Sequence, residues 1–259
     1  MRRSDYIFYL TIGAGFLYIL YFLYLVSNIK FWLEDLETCY FSMDRYSFFI
    51  NHVHIYFYLL SFPFVLYFLT KTFLKGYFHI KKYIQIKSCI QTAKIKEIKN
   101  IIIVDFKGYT AFNIGLFSRK LVFSKDTLNL PKEDKKIIFA HEKAHFKHRD
   151  SLKFFLFSVF AELFPFSKKM KENFFLLKEI EADMSVDTDR LRYAELLLNF
   201  YQSKIKGDIP LAGGYINRRF EFILEGKRPE FSIYFLLPSA FFIFFLLSFV
   251  FKTCFCGEM

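Results

Sequence analysis

Cysteine is scarce: the 259-residue chain has four and no C-x-x-C pair, which argues against a thiolate metal frame. There is no internal repeat, and no low-complexity tract beyond a bias toward Phe, Ile and Lys, so a solenoid or repeat array is excluded. The net charge of +11 comes with no recognised basic motif and no aromatic-basic alternation. Nucleic acid is therefore not an expected partner, because basic residues beside a membrane already have a use against anionic lipid. The first apolar run, residues 6–29, contains no charge and is followed by no A-x-A-like site. Its length and that missing site argue against a cleaved signal peptide.

What is present in excess is apolar surface. Apolar residues make up 54% of the chain, with 39 Phe and 17 Tyr, more than a soluble domain usually carries. Much of it is gathered into runs long enough to cross a hydrocarbon core of about 30 Å, which takes roughly 20 residues of helix. Residues 6–29, 46–70 and 231–251 are three expected spans, with a lipid bilayer as partner. A fourth stretch, 152–166, is short and contains Lys153 and Glu162, which places it among buried or re-entrant helices.

Basic residues set the expected orientation. The loop 27–45 has Lys30 and Arg45 against Glu34, Asp35, Glu37 and Asp44, whereas segment 71–150 has 18 Lys and Arg against 7 Asp and Glu. The central segment is expected in the cytoplasm and the short loop outside, along with Cys39, Cys254 and Cys256. An external disulfide from Cys39 to either of the other two stays open. His52 and His54 fall near the outer end of the second span, on different helix faces, where packing or interfacial hydrogen bonding is the expected role.

After the second span the texture becomes that of a soluble domain. Residues 78–99 read as a basic, partly amphipathic helix or linker. The β-branched run 101–106, the turn signal Lys107-Gly108, and the runs 111–117 and 120–123 indicate a small sheet. Pro131 followed by Glu133 and Asp134 opens a helix, with proline early and acids in the first turn.

That helix carries His141-Glu142-Lys143-Ala144-His145. Residues four apart share a helix face about 6 Å apart along the axis, so both imidazoles can reach one zinc ion, Zn2+, at about 2.0–2.1 Å. Glu142 beside them can accept a proton from water activated there. A catalytic site needs a third protein ligand. His148 sits about 10.5 Å along the axis from His141, too far to share an ion. Glu179 is the better candidate, in Glu179-Ile180-Glu181-Ala182-Asp183 on a later helix. Asp183 shares its face and would orient a ligating imidazole, whereas Glu181 points away. Taken alone, such a carboxylate pair is more often a solvated helix face. Tyr193, Tyr201, Arg218 and Arg219 are all available as donors to an oxyanion, with nothing to choose among them.

His141-Glu142-Lys143-Ala144-His145, then Arg149-Asp150, an apolar stretch ending in Phe164-Pro165, and Glu179 with Ala182-Asp183 resemble the zinc peptidases of the beta-lactam receptor class (BlaR/MecR type). More distantly they are similar to the HtpX and prenyl-protein membrane proteases. The resemblance covers about residues 106–228, with Ala111, Phe112, Asn113 and Ile114 in the place of the family's substrate-binding edge strand and Arg219-Phe220 with Ile223-Leu224 in that of a downstream helix. It implies Glu179 as third ligand and Asp183 as the acid behind an imidazole. It implies an α+β fold: a multi-pass helical membrane protein with a zincin-like (gluzincin) metalloprotease domain containing a small β-sheet.

The expected organisation is two transmembrane helices in 1–70, a cytoplasmic zinc peptidase domain in 71–230 that includes a membrane-embedded or re-entrant helix at 152–166, and a final span with a short external tail in 231–259. If 152–166 crossed the bilayer, His141 and Glu179 would lie on opposite sides and share no metal. The expected activity is zinc-dependent endoproteolysis of a cytoplasmic or membrane-associated protein, such as a regulator, at the cell membrane. General membrane-protein quality control and non-catalytic partner binding are the alternatives. Receptor-type members carry an extra span and a large external sensor, and no sensor is expected in the few residues after 251.

Overall fold

The structure, a computed structural model, describes residues 2–42, 53–205, 216–227, 233–238 and 240. Two long helices open it, α1 (Arg3–Ser42) and α2 (Val53–Thr92), each of 40 residues. At 1.5 Å per residue each is about 60 Å long, twice a hydrocarbon core. Among the described residues one segment, Arg3–Lys30, is long and apolar enough to cross a membrane. The run 46–70 lies partly outside the described residues and 231–251 mostly so. The same holds for His52, Cys254, Cys256 and the side chains of Cys39 and His54.

Residues 78–99 differ from expectation in part. Helix α2 runs unbroken to Thr92, and Lys94–Ile98 is a strand, β1. This strand is largely exposed and carries charge, so it has no apolar signature of its own. It is held by antiparallel pairing with β2 (Ile101–Val104) across a turn in which Lys99 adopts a positive φ of 53°. Lys94 and Lys120 both pair with its Glu97.

β3 (Ala111–Ile114) and β4 (Lys120–Ser124) complete a four-stranded sheet of order β1-β2-β4-β3. β2 and β4 are parallel and β3 is antiparallel to β4, which leaves β3 at an edge. The strands alternate faces. Ile102, Val104 and Val122 pack with Ile90 at the end of α2, whereas Ala111, Leu121 and Phe123 face the other side. The turn after β3 requires a glycine, since Gly115 has φ of 103° and a Cβ there would collide with the Ser118 carbonyl.

A short helix, α3 (Lys125–Leu128), precedes α4 (Lys132–His148), which starts after Pro131. Stretch 152–166 breaks into α5 (Asp150–Phe160), a 3-10 turn (Ala161–Leu163) and a reversal at Phe166, whose φ is 60°. The chain then returns as α6 (Ser167–Asp183). The reversal brings α6 back alongside α4. α5 is buried against α1 and α2, and Gly15 of α1 is needed there because a Cβ would overlap the Phe160 ring. The helical core joins Ile7, Tyr21 and Leu25 to Val65, Phe157 and Phe174, with the last two rings stacked at 3.9 Å. α7 (Arg190–Ile205) and α8 (Ile216–Glu225) close over the sheet and α4 through Tyr193, Leu196 and Ile223.

Candidate metal centre

α4 is two-sided. Ile137, Ile138, His141, Glu142, Ala144 and His145 are buried, while Lys136, Lys143 and Lys147 face out. The helix stops at Arg149, a non-glycine residue in the left-handed region with φ of 56°, and α5 starts at the next residue. This break folds the Asp150 carboxylate back toward α4, so that its Oδ2 accepts from His145 Nδ1 at 2.9 Å. Asp150 is buried, and the spacing of five residues follows no helical period.

From α6, Glu179 and Asp183 face α4 together. Glu179 Oε2 lies 3.6 Å from His141 Nε2 and its Oε1 3.6 Å from His145 Nε2. Asp183 Oδ1 sits 3.1 Å from His141 Nδ1. Tyr193 of α7 donates to Asp183 Oδ1 at 2.5 Å, and its oxygen is 3.0 Å from His141 Nδ1. Arg219 of α8 donates to Asp183 through Nε and Nη2, at 3.0 and 2.6 Å, and its Nη1 is 2.8 Å from Glu179 Oε2. Tyr193 and Arg219 are thus engaged on the acids. Arg218 reaches Asn173 on the exposed side, and Tyr201 lines the neighbouring cavity. His148 is half-buried and outside the cluster.

The donor set fits a tetrahedral cation. His141, His145 and Glu179 each offer one ligand atom, all within 4.8 Å of one another. The two Nε2 atoms are 3.3 Å apart. Two nitrogens about 2.05 Å from one zinc at a tetrahedral angle stand about 3.3 Å apart. Each ring faces a carboxylate through Nδ1, so a proton held there leaves the Nε2 lone pair free, and the two lone pairs converge on one point.

Electrostatics agree with this. Burial opposes charge on His141, yet Asp183 and Glu179 outweigh it and raise the imidazole to about 9 in the metal-free protein. Burial disfavours both carboxylates, but Arg219 more than offsets it with help from the imidazoles. Asp183 is held at about 2 and Glu179 well below its ordinary range. The acids therefore stay ionised around the point where the ligand atoms converge.

Glu142 is placed by β3. Asn113 Nδ2 donates to its Oε2 at 2.8 Å and to its backbone oxygen at 2.9 Å. Asn113 Oδ1 is buried with no hydrogen-bond partner among the described residues. A cavity of about 730 Å³ opens on His141, Glu142, His145 and Glu179. Its walls come from β3, α2, α5 and α7 and are mostly apolar, with Ile86, Ile90, Phe112, Phe154, Leu197 and Phe200 among them.

Lys178 has no signature in the sequence, and Asp150 stands there only within the motif of the resemblance, with no role attached. Asp150 is brought to His145 by a helix break, and the buried Lys178 reaches Asp150 from α6 at 3.1 Å. No curated protein matches the chain. Residues 83–203, which include His141, His145, Glu179 and Asp183, match the model of peptidase family M48, and this match supports a metallopeptidase of that family.

Proposed function

We propose that this protein is a membrane-embedded zinc endopeptidase that hydrolyses peptide bonds in a cytoplasmic or membrane-associated protein. One observation carries the reading: the imidazole Nε2 atoms of His141 and His145 converge at 3.3 Å beside Glu179, with a carboxylate behind each ring. The family match to a metallopeptidase supports the same reaction class. The finer likeness to the BlaR/MecR type rests on the order of His141-Glu142, Arg149-Asp150 and Glu179 with Asp183.

When bound by His141, His145 and Glu179, zinc supplies Lewis acidity to the attacking water and the scissile carbonyl. Glu142 accepts the proton of that water and delivers it to the leaving amine. Asn113 holds Glu142 Oε2, which leaves Oε1 as the proton-accepting oxygen. Asp150 and Asp183 keep the Nδ1 protons of the two rings in place, so that the Nε2 atoms stay available as ligands. The substrate pairs as an added strand on the β3 edge at Ala111 to Ile114, where backbone hydrogen bonding accommodates many sequences. The apolar cavity walls then receive its side chains.

The test combines metal content with turnover. Full-length protein in detergent should hold close to one zinc per chain and cleave an unfolded casein-type substrate. His141→Ala and His145→Ala should lose both properties, and stoichiometric zinc in either variant would exclude this site. The basic central segment supports a cytoplasmic active site. A reporter fused after Lys99 should behave as cytoplasmic, and an external result would invert the topology.

A further inference from the structure

Behind the metal-facing side of α6 lies a second charged cluster, with Lys178 and Asp150 buried and its other members partly so. Its centre is Lys178, which precedes the ligand Glu179 and has no exposed surface. Lys178 Nζ lies 2.8 Å from Asp5 Oδ1, 3.1 Å from Asp150 Oδ1 and 3.7 Å from Glu181 Oε2. Asp5 also accepts from Lys153 at 2.5 Å. Glu181 accepts from the backbone N–H and the hydroxyl of Ser4 at 3.0 and 2.5 Å, with Arg2 at 3.9 Å. Three acids, Asp5, Asp150 and Glu181, are thus matched by three bases, Arg2, Lys153 and Lys178. They come from the residues that open α1, the start of α5 and the C-terminal third of α6.

The cluster touches the metal centre at one place. Asp150 gives Oδ2 to His145 Nδ1 and turns Oδ1 to Lys178. Lys178 meets Asp150 Oδ1 as an ion pair, and that oxygen has no hydrogen-bond partner among the described residues. What Lys178 supplies to Asp150 is therefore charge. With one oxygen on His145 and the other on Lys178, the Asp150 carboxylate is fixed in the orientation in which it accepts from a ligating ring.

We propose that Lys178 is a positioning residue for the metal site: it holds Asp150 against His145 and is itself held by Asp5, so that the docked start of α1 forms part of the support of the metal centre. This rests on the zinc reading above. The N-terminal residues of the chain, more than 130 positions from the ligands in sequence, thereby influence how tightly zinc is bound.

The test is a zinc titration of chelator-stripped, full-length protein in detergent against a chromophoric competitor. Removing the partners behind a ligating histidine weakens metal binding by about 10–100-fold. Lys178→Met, which keeps the stem and removes the charge, should fall in that range. It should cost little more in an Asp150→Asn background, because both changes break one relay. Asp5→Asn should weaken zinc by a smaller factor, about 3–10-fold. A purely structural role would lower thermal stability and leave zinc affinity within twofold in Lys178→Met, or would give losses that multiply in the double variant; either result overturns the proposal. If Lys178→Met does not fold, Asp5→Asn decides, and unchanged zinc affinity there overturns it. Wild-type protein that binds no zinc would instead refute the metal reading itself.

Discussion

Asn113 and Glu142 are 29 residues apart, and one amide nitrogen joins them twice: Asn113 Nδ2 donates to the Glu142 carboxylate at 2.8 Å and to the Glu142 carbonyl at 2.9 Å. The edge strand and the motif helix are fixed to each other at the residue read as the general base. The strand on which a substrate would pair and the group that would move its proton therefore share one rigid joint.

Asn113→Ala should accordingly retain zinc and lower kcat by about 10–100-fold, the loss expected when a positioning hydrogen bond is removed. Asn113→Asp should do worse, since it replaces the amide donor by a second carboxylate, which repels Glu142 instead of holding it. Steady-state rates and metal content for the two variants check this, and unchanged kcat in both would remove Asn113 from the mechanism.

Glu142→Gln should keep one zinc per chain while hydrolysis falls to background. The amide is close in shape but takes no proton from water. Turnover above a tenth of wild type would mean that another base acts.

Glu179 and Glu181 should separate cleanly. Glu179→Ala should lose zinc as severely as a histidine variant, because Glu179 completes the ligand group. Glu181→Ala should keep zinc within about threefold yet lower the melting temperature, because Glu181 ties Ser4 and the start of α1 to α6. Its side chain points away from the ligands, as its helix position predicts, but it is not idle. Graded chelator dialysis and thermal melts distinguish the two effects.

Zinc binding should depend on pH through His141. In the metal-free protein this imidazole is raised to about 9 by Asp183 and Glu179, against the effect of burial. Below that pH, zinc must displace a proton, so apparent affinity should rise with pH by up to about tenfold per unit and level off above about 9. The sign for metal-free stability is the reverse. A folded pKa above the ordinary 6.5 stabilises the fold fully below 6.5, and that contribution is lost as pH rises through about 9. Competitor titrations and metal-free melts from pH 6 to 9.5 give both slopes, and a flat affinity profile would contradict the assignment.

Much of the candidate site is legible in the order of residues. The spacing of His141 and His145 and the adjacency of Glu142 follow from helix periodicity alone, because a short-range repeat fixes which side chains share a face. Pro131 with Glu133 and Asp134 marks where that helix begins, and the β-branched run at Ile101 marks a strand. Glu179 needed the resemblance to stand out from a solvated helix face, since spacing on one helix does not say what the helix packs against.

Tertiary structure decided the rest. β1 forms because a neighbouring strand completes its hydrogen bonds, and no apolar pattern of its own announces it. The reversal at Phe166 brings α6 beside α4, and only then do Glu179 and Asp183 face the imidazoles. Arg149 breaks a helix and so turns Asp150 onto His145. Lys178 acts on Asp5 and Asp150, and Arg219 on Asp183, across 28 to 173 positions of chain, where burial lowers the dielectric and makes each charge matter to its neighbours. Local sequence fixes which atoms share one helix face, but a metal centre also needs atoms from different helices at one point, and the packing of Phe157, Phe174 and the rest of the apolar core sets that point.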